Sequence, residues 1–73
     1  MSTTVDARGL SCPQPVLMTM DEMKKVGQGE INILVDTETS RENVSRAAES
    51  RGWQVKEIQE EDEVFRIIIE KNG

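Results

Sequence analysis

The spacing of apolar residues alternates between extended and helical along this 73-residue chain, and that alternation restricts the possible folds more than any other feature. Short runs rich in β-branched residues are typical of strands, whereas apolar residues three and four positions apart are typical of amphipathic helices. Taken from the amino terminus, the pattern predicts the order βαβαββ. Strands interleaved with amphipathic helices favour a two-layer sandwich of the α/β (α+β) class. We predict a four-stranded mixed sheet that carries two helices on one face.

The first half of the chain is predicted to form a strand, a helix and a second strand. Thr4–Asp6 is the first strand, and Ile31–Val35 is the second. A helix from position 13 to about 26 lies between them and ends at Gly27 and Gly29. The apolar stripe of this helix comprises Val16, Met20 and Met23, with Leu17 beside them and Met18 off the stripe, as a candidate interface residue.

The second half is predicted to form a helix followed by a hairpin. Thr39–Glu42 fits a capping box, in which a hydroxyl is followed three residues later by glutamate, and Gly52 is a natural helix stop. The alternation of the next strand changes phase at Ile58, which indicates a bulge or the end of that strand. Glu60–Glu63 is the predicted turn before the last strand, residues 64–70. The side chains expected beneath the helices are Ile31, Ile33, Val35, Val55, Ile67 and Ile69.

The composition excludes several classes of protein. The net charge is −5, so the chain lacks the excess of basic residues that is typical of direct phosphate binding. We therefore expect no direct contact with nucleic acid. One cysteine cannot form an internal disulfide, and no apolar run is long enough to predict a membrane span. The absence of histidine removes the commonest metal ligand, so we expect neither a metal nor a cofactor. We expect a cytoplasmic monomer with a single domain over residues 1–73.

The single cysteine lies where the first predicted helix begins. Pro13 and Pro15 follow Cys12, and the first turn is the part of a helix that tolerates proline. The thiol therefore lies beside a helix N-terminus, which favours negative charge by about 0.3–2 kcal/mol. Because neither proline has an N–H to donate, we predict only modest activation of the thiol. Any chemistry of this chain is expected to be sulfur chemistry at Cys12, with the two prolines holding the thiol outward.

Four neighbouring residues are candidates to support Cys12 rather than to react. Asp6 is expected to orient the loop by accepting backbone N–H groups, and Gly9 to supply a backbone conformation closed to other residues. Arg8 is the nearest cation in the sequence, and it either favours an anionic sulfur or is an ordinary exposed arginine. Gln14 is expected to be a solvated first-turn residue, with an amide that is a candidate to line the approach of a partner.

The segment Asp6–Pro15 resembles the signature of the TusA-like sulfurtransferase family, also called SirA/YedF-like. That signature is an aspartate, a glycine and then Cys-Pro-x-Pro (CPxP) at the start of the first helix. The similarity continues through Gly29 to the second helix, and so covers nearly the whole chain. The resemblance implies that Cys12 carries sulfane sulfur as a persulfide. It also implies a sulfur donor protein, such as a cysteine desulfurase, and a partner protein with an acceptor thiol.

Two departures separate the chain from the branch of the family that supplies sulfur for tRNA thiolation. Gln14 stands between the prolines where many members of that branch have glutamate, and Asp36–Glu38 replaces the common Asp-Asp-Pro. Ser40–Val44 is more similar to the YedF-type branch, which is sometimes linked to selenium metabolism. A persulfide sulfurtransferase is therefore the leading hypothesis. The alternatives are a non-catalytic binding module that uses the CPxP helix start as a recognition surface, and selenium delivery by the same thiol.

Overall fold

The elements of the chain follow the predicted order βαβαββ in a computed structural model that describes residues 2–10 and 14–72. The sequence expectation of fold class and element order is confirmed. The strands are β1 (Ser2–Asp6), β2 (Gly29–Val35), β3 (Gln54–Glu61) and β4 (Val64–Lys71), and the helices are α1 (Gln14–Val26) and α2 (Glu38–Ser50).

The strands form one mixed sheet in the order β1-β2-β4-β3. β1 is parallel to β2, and the pairs β2–β4 and β3–β4 are antiparallel. The sequence left the relative directions of the first three strands open. Because β1 and β2 are parallel, their carboxyl ends lie at the same edge of the sheet. The loops that lead into α1 and α2 therefore begin side by side.

The core lies between the sheet and the two helices. The register of β2 with β4 pairs Ile31 with Ile69 and Ile33 with Ile67, and all four side chains are completely buried. Burial of each such side chain contributes roughly 1.5–3 kcal/mol. Of the six residues predicted to lie beneath the helices, only Val55 is half-buried rather than buried, because β3 is an edge strand.

The predicted stripe of α1 faces the core, with Met23 buried and Val16 and Met20 half-buried against it, but the fully buried line runs through other residues as well. Pro15, Thr19 and Met23, spaced four residues apart, are its buried residues. Thr19 was not predicted to be buried because it is polar, but its hydroxyl donates a hydrogen bond of 2.8 Å to the carbonyl oxygen of Pro15. Leu17, predicted to lie beside the stripe, is 52% exposed. Met18, predicted to lie off the stripe, is half-buried and packs against the core.

The start of α2 also differs from the prediction. Thr37 is the N-cap, and its hydroxyl accepts a hydrogen bond of 3.1 Å from the N–H of Ser40. The predicted capping box was wrong, because Thr39 and Glu42 lie inside the helix. Thr37 is the first hydroxyl-bearing residue after β2, and α2 begins directly after it. The prediction that Gly52 ends α2 is confirmed. Its N–H donates a hydrogen bond to the carbonyl oxygen of Glu49, and its φ is +84°.

The hairpin of β3 and β4 contains the predicted irregularity and a tighter turn than predicted. The register shifts between Val55 and Glu57, which is a bulge at Lys56. The predicted turn Glu60–Glu63 is reduced to Asp62 and Glu63, because Glu60 and Glu61 pair with β4. Both turn residues have positive φ angles, 48° and 64°, as two-residue hairpins of type I′ require.

Candidate functional site

The loop between β1 and α1, residues 7–13, contains the candidate nucleophile. Cys12 and Pro13 lie outside the described residues. The predictions about the direction of the thiol therefore stay predictions. The structure does describe the loop up to Leu10 and α1 from Gln14 onward. The site is therefore defined here by the residues that hold the loop on either side of Cys12.

Two backbone contacts fasten the start of this loop to the end of β2. The N–H of Ala7 donates to the carbonyl oxygen of Leu34 at 2.8 Å, and the Ala7 side chain is completely buried. The N–H of Gly9 donates to Oδ2 of Asp36, also at 2.8 Å. Gly9 has a φ of +77°, a conformation that other residues rarely adopt, so the prediction for this glycine is confirmed. The loop thus leaves the sheet along a fixed path.

Asp6 and Arg8 form an ion pair at the beginning of the same loop. The Asp6 carboxylate accepts hydrogen bonds from Nε of Arg8 at 2.9 Å, from Nη2 at 2.8 Å and from the backbone N–H of Arg8 at 3.2 Å. These hydrogen bonds from Arg8 lower the pKa of Asp6 to about 2. In return, the carboxylate raises the pKa of Arg8. Asp6 thus accepts a loop N–H, as predicted, and also orients the guanidinium.

The ion pair with Asp6 defines the surroundings of the Arg8 guanidinium. Both side chains are about half exposed, at 50% and 53%, and the guanidinium is already bound to a carboxylate. An exposed pair of this kind is screened by water and contributes little to stability. Arg8 is therefore an exposed arginine whose charge is balanced by Asp6.

The residues that follow Cys12 fix the first turn of α1. Gln14 is exposed, as predicted for a solvated first-turn residue. Pro15 is buried, and its carbonyl oxygen accepts the Thr19 hydroxyl. Pro15 therefore anchors the helix start against the core in addition to allowing the helix to begin. The four first N–H groups of a helix have no intrahelical acceptor, and here Gln14 and Val16 supply such groups while Pro15 does not.

Asp36 is a site residue that sequence reasoning did not select. It follows β2 directly, and its carboxylate crosses to the neighbouring loop to accept the N–H of Gly9. The signal was the position of an acidic residue at the end of a strand. That signal locates the contact only if β1 and β2 are known to be parallel neighbours, which the sequence left open.

No group of three metal-ligating His, Cys, Asp or Glu side chains occurs among residues 2–10 and 14–72. Neither α1 nor α2 is long and apolar enough to cross a membrane.

Comparison with known proteins relates this loop to sulfur chemistry. The model of the family described as "Sulfurtransferase TusA" matches residues 3–71. Two relatives carry the name "Putative sulfur carrier protein". One, from Methanocaldococcus jannaschii, is 35% identical over 68 residues, which cover 92% of this chain and 91% of the relative. The other, YedF from Escherichia coli (strain K12), is 31% identical over 68 residues, which cover 92% of this chain and 88% of the relative.

A solved structure has the same fold. The crystal structure of a SirA-like protein from Desulfitobacterium hafniense superimposes with a TM-score of 0.89 at 34% sequence identity. The superposition covers 97% of this chain and 99% of the other. The likeness therefore extends over nearly the whole chain.

Proposed function

The chain belongs to the TusA sulfurtransferase family, and we propose on that basis that it carries sulfane sulfur as a persulfide on Cys12. In the loading step, the Cys12 thiolate attacks the terminal sulfur of a donor persulfide. The new S–S bond forms at Cys12 as the donor S–S bond breaks, and the donor cysteine leaves as a thiolate. In the delivery step, an acceptor thiolate attacks the terminal sulfur in the same way. Both steps are exchanges of the thiol–disulfide kind, with no net oxidation.

The observation that carries the proposal is the family match over residues 3–71, which includes the CPxP segment. The anchoring of the loop supports it. Gly9 is bound to Asp36 before Cys12, and Pro15 is buried after it. A carrier thiol must reach the active sites of two different proteins, and it does so best from a short segment held at both ends.

The electrostatics around the loop support a carrier rather than an independent enzyme. The helix N-terminus contributes about 0.3–1 kcal/mol to an exposed anion, and Pro15 removes one of its donors. The nearest cation in the sequence, Arg8, is already paired with Asp6. The chain therefore offers a modestly stabilised thiolate, and the donor protein brings the activated sulfur. No histidine is needed, because exchange requires no strong proton transfer.

The same proposal assigns two protein partners and a location. The donor is a protein with a persulfide, such as a cysteine desulfurase, and the acceptor is a protein thiol. We place the exchange in the cytoplasm, where thiols stay reduced, and assign the chain as a monomer with one sulfur-carrier domain over residues 1–73. The partner that receives the sulfur determines the final product, and thiolated tRNA is one candidate.

The test is loading by a donor. The reduced protein is incubated with a cysteine desulfurase and cysteine, and its intact mass is measured before and after treatment with dithiothreitol. We expect a gain of one sulfur atom that the reductant removes. Cys12→Ser abolishes the gain, whereas the adjacent change Ser11→Ala, the matched control, retains it. If several competent donors leave the wild-type mass unchanged while a desulfurase still binds, the chain is a binding module. A gain of selenium in preference to sulfur, with both supplied, assigns selenium delivery instead.

A further inference from the structure

The face of the sheet opposite the helices, here called the open face, carries a groove near the β3–β4 turn. Its volume is about 390 Å³. Its apolar floor is formed by Leu34 of β2 and Val64 of β4, both half-buried. Small-molecule sites commonly have volumes of about 300–1,000 Å³, so this groove has room for one small solute.

Charged groups of both signs surround the apolar floor, and they lie on different strands or loops. Arg8, in the loop after β1, and Arg66, on β4, contribute guanidinium groups. Glu61, at the end of β3, and Asp62, in the turn, contribute carboxylates. Because the strand order is β1-β2-β4-β3, Arg66 lies toward the centre of the sheet, and Glu61 and Asp62 lie at the β3 side. Arg8 lies at the β1 side, where it is paired with Asp6.

Of the four charged groups, Arg8 is already neutralised by Asp6, whereas the other three are not paired within the described residues. Arg66, Glu61 and Asp62 belong to none of the ion pairs formed between residues of the described part of the chain. Arg66 instead stands opposite Leu34 on one side and Gln59 on the other in the strand register. A guanidinium held on a rigid strand is suited to bind a carboxylate through two parallel hydrogen bonds.

We propose that this groove binds the zwitterionic head group of a free α-amino acid with an apolar side chain. The carboxylate of the ligand lies on the Arg66 guanidinium, and its ammonium group lies on Glu61 and Asp62. The apolar side chain covers Leu34 and Val64. A ligand of a single charge would leave either the Arg66 guanidinium or the carboxylates of Glu61 and Asp62 unmatched. The groove is open to solvent along one side, so we expect millimolar affinity.

This site does not include Cys12, so it is separable from the sulfur-carrier function. A titration of ¹⁵N-labelled protein tests it, with the amide chemical shifts of Leu34, Gln59 and Arg66 as the signal. The probes are L-leucine, N-acetyl-L-leucine, which lacks the ammonium group, and L-leucinamide, which lacks the carboxylate. The Cys12→Ser variant is titrated in parallel and is expected to behave as the wild type does.

We expect L-leucine to shift these amides saturably and both blocked analogues to fail. Arg66→Gln should weaken binding at least tenfold, because it removes a charge-assisted bidentate contact. Arg46→Gln, which removes an exposed arginine from α2 on the other face of the sheet, should change nothing. Equal shifts with N-acetyl-L-leucine would overturn the proposal in favour of a simple anion site. Equal shifts with L-leucinamide, or no shifts with any probe, would also overturn it.

Discussion

Removal of the Asp36 carboxylate tests how the loop before Cys12 is held. In the wild type this carboxylate accepts the N–H of Gly9 at 2.8 Å. Asp36→Ala leaves that N–H to water, whereas Asp36→Asn keeps an oxygen acceptor of similar shape and serves as the matched control. Because Asp36 is exposed, the contact is worth only the lower part of the usual range for a hydrogen bond, about 0.5–1 kcal/mol. For a domain of this size, that corresponds to a fall in Tm of about 2–8 °C.

Hydrogen exchange at the Gly9 amide isolates this contact from a general loss of stability. Exchange of the Gly9 N–H should become faster in Asp36→Ala, beyond the change at the Ala7 amide, which bonds to Leu34 instead. Asp36→Asn should keep most of the protection. We also expect slower sulfur loading in Asp36→Ala, because the loop samples more conformations. Unchanged exchange at Gly9 in Asp36→Ala would refute the role assigned to Asp36.

Three further predictions concern the same end of the molecule. Gly9→Ala should destabilise the fold by about 1–2 kcal/mol in urea unfolding, because φ is +77°, although no atom of the described residues lies within 4 Å of an added Cβ; an unchanged midpoint would contradict this. The pKa of Asp6 is about 2 in the folded state against 3.8 ordinarily, so its stabilising effect is present above pH 3.8 and is lost as the pH falls toward 2. Asp6→Asn should therefore lose less stability than the wild type across that interval. Parallel curves of unfolding free energy against pH for the two proteins would argue against the ion pair. Leu17→Ser should change Tm little because Leu17 is 52% exposed, but it should slow sulfur transfer, since we expect partners to contact the start of α1; equal rates would contradict that expectation.

The fold was largely predictable because its core follows simple periodicities. Alternation along β2 and β4 identified Ile31, Ile33, Ile67 and Ile69 correctly, since a strand buries every second residue. The change of phase near Ile58 likewise corresponds to the bulge between Val55 and Glu57. These features depend on local sequence alone.

The errors arose where tertiary contacts decide local structure. Leu17 continued an apolar run but points away from the core, because the buried line of α1 passes through Thr19 instead. Thr19 became acceptable in the core only through its hydrogen bond to Pro15. The choice of Thr37 as N-cap depended on where β2 ends.

The supporting residues of the candidate site were predictable to different extents. Gly9 was identified from sequence because a positive φ is a local property. Arg8 was left between two roles, and its hydrogen bonds to Asp6 were not predicted. Asp36 was missed because its partner lies 27 residues away on a different strand end. Long-range pairing of this kind requires the sheet topology.

The central claim, that Cys12 carries the sulfur, is tested most directly by locating the added atom. The protein is loaded by a cysteine desulfurase, alkylated with iodoacetamide under non-reducing conditions and digested, and the peptide that contains Cys12 is examined by tandem mass spectrometry. We predict an alkylated persulfide on Cys12 that disappears when the loaded protein is first mixed with an acceptor thiol. A Cys12 peptide that carries only the ordinary alkylated thiol, from a donor shown to be charged with sulfur, would contradict the account.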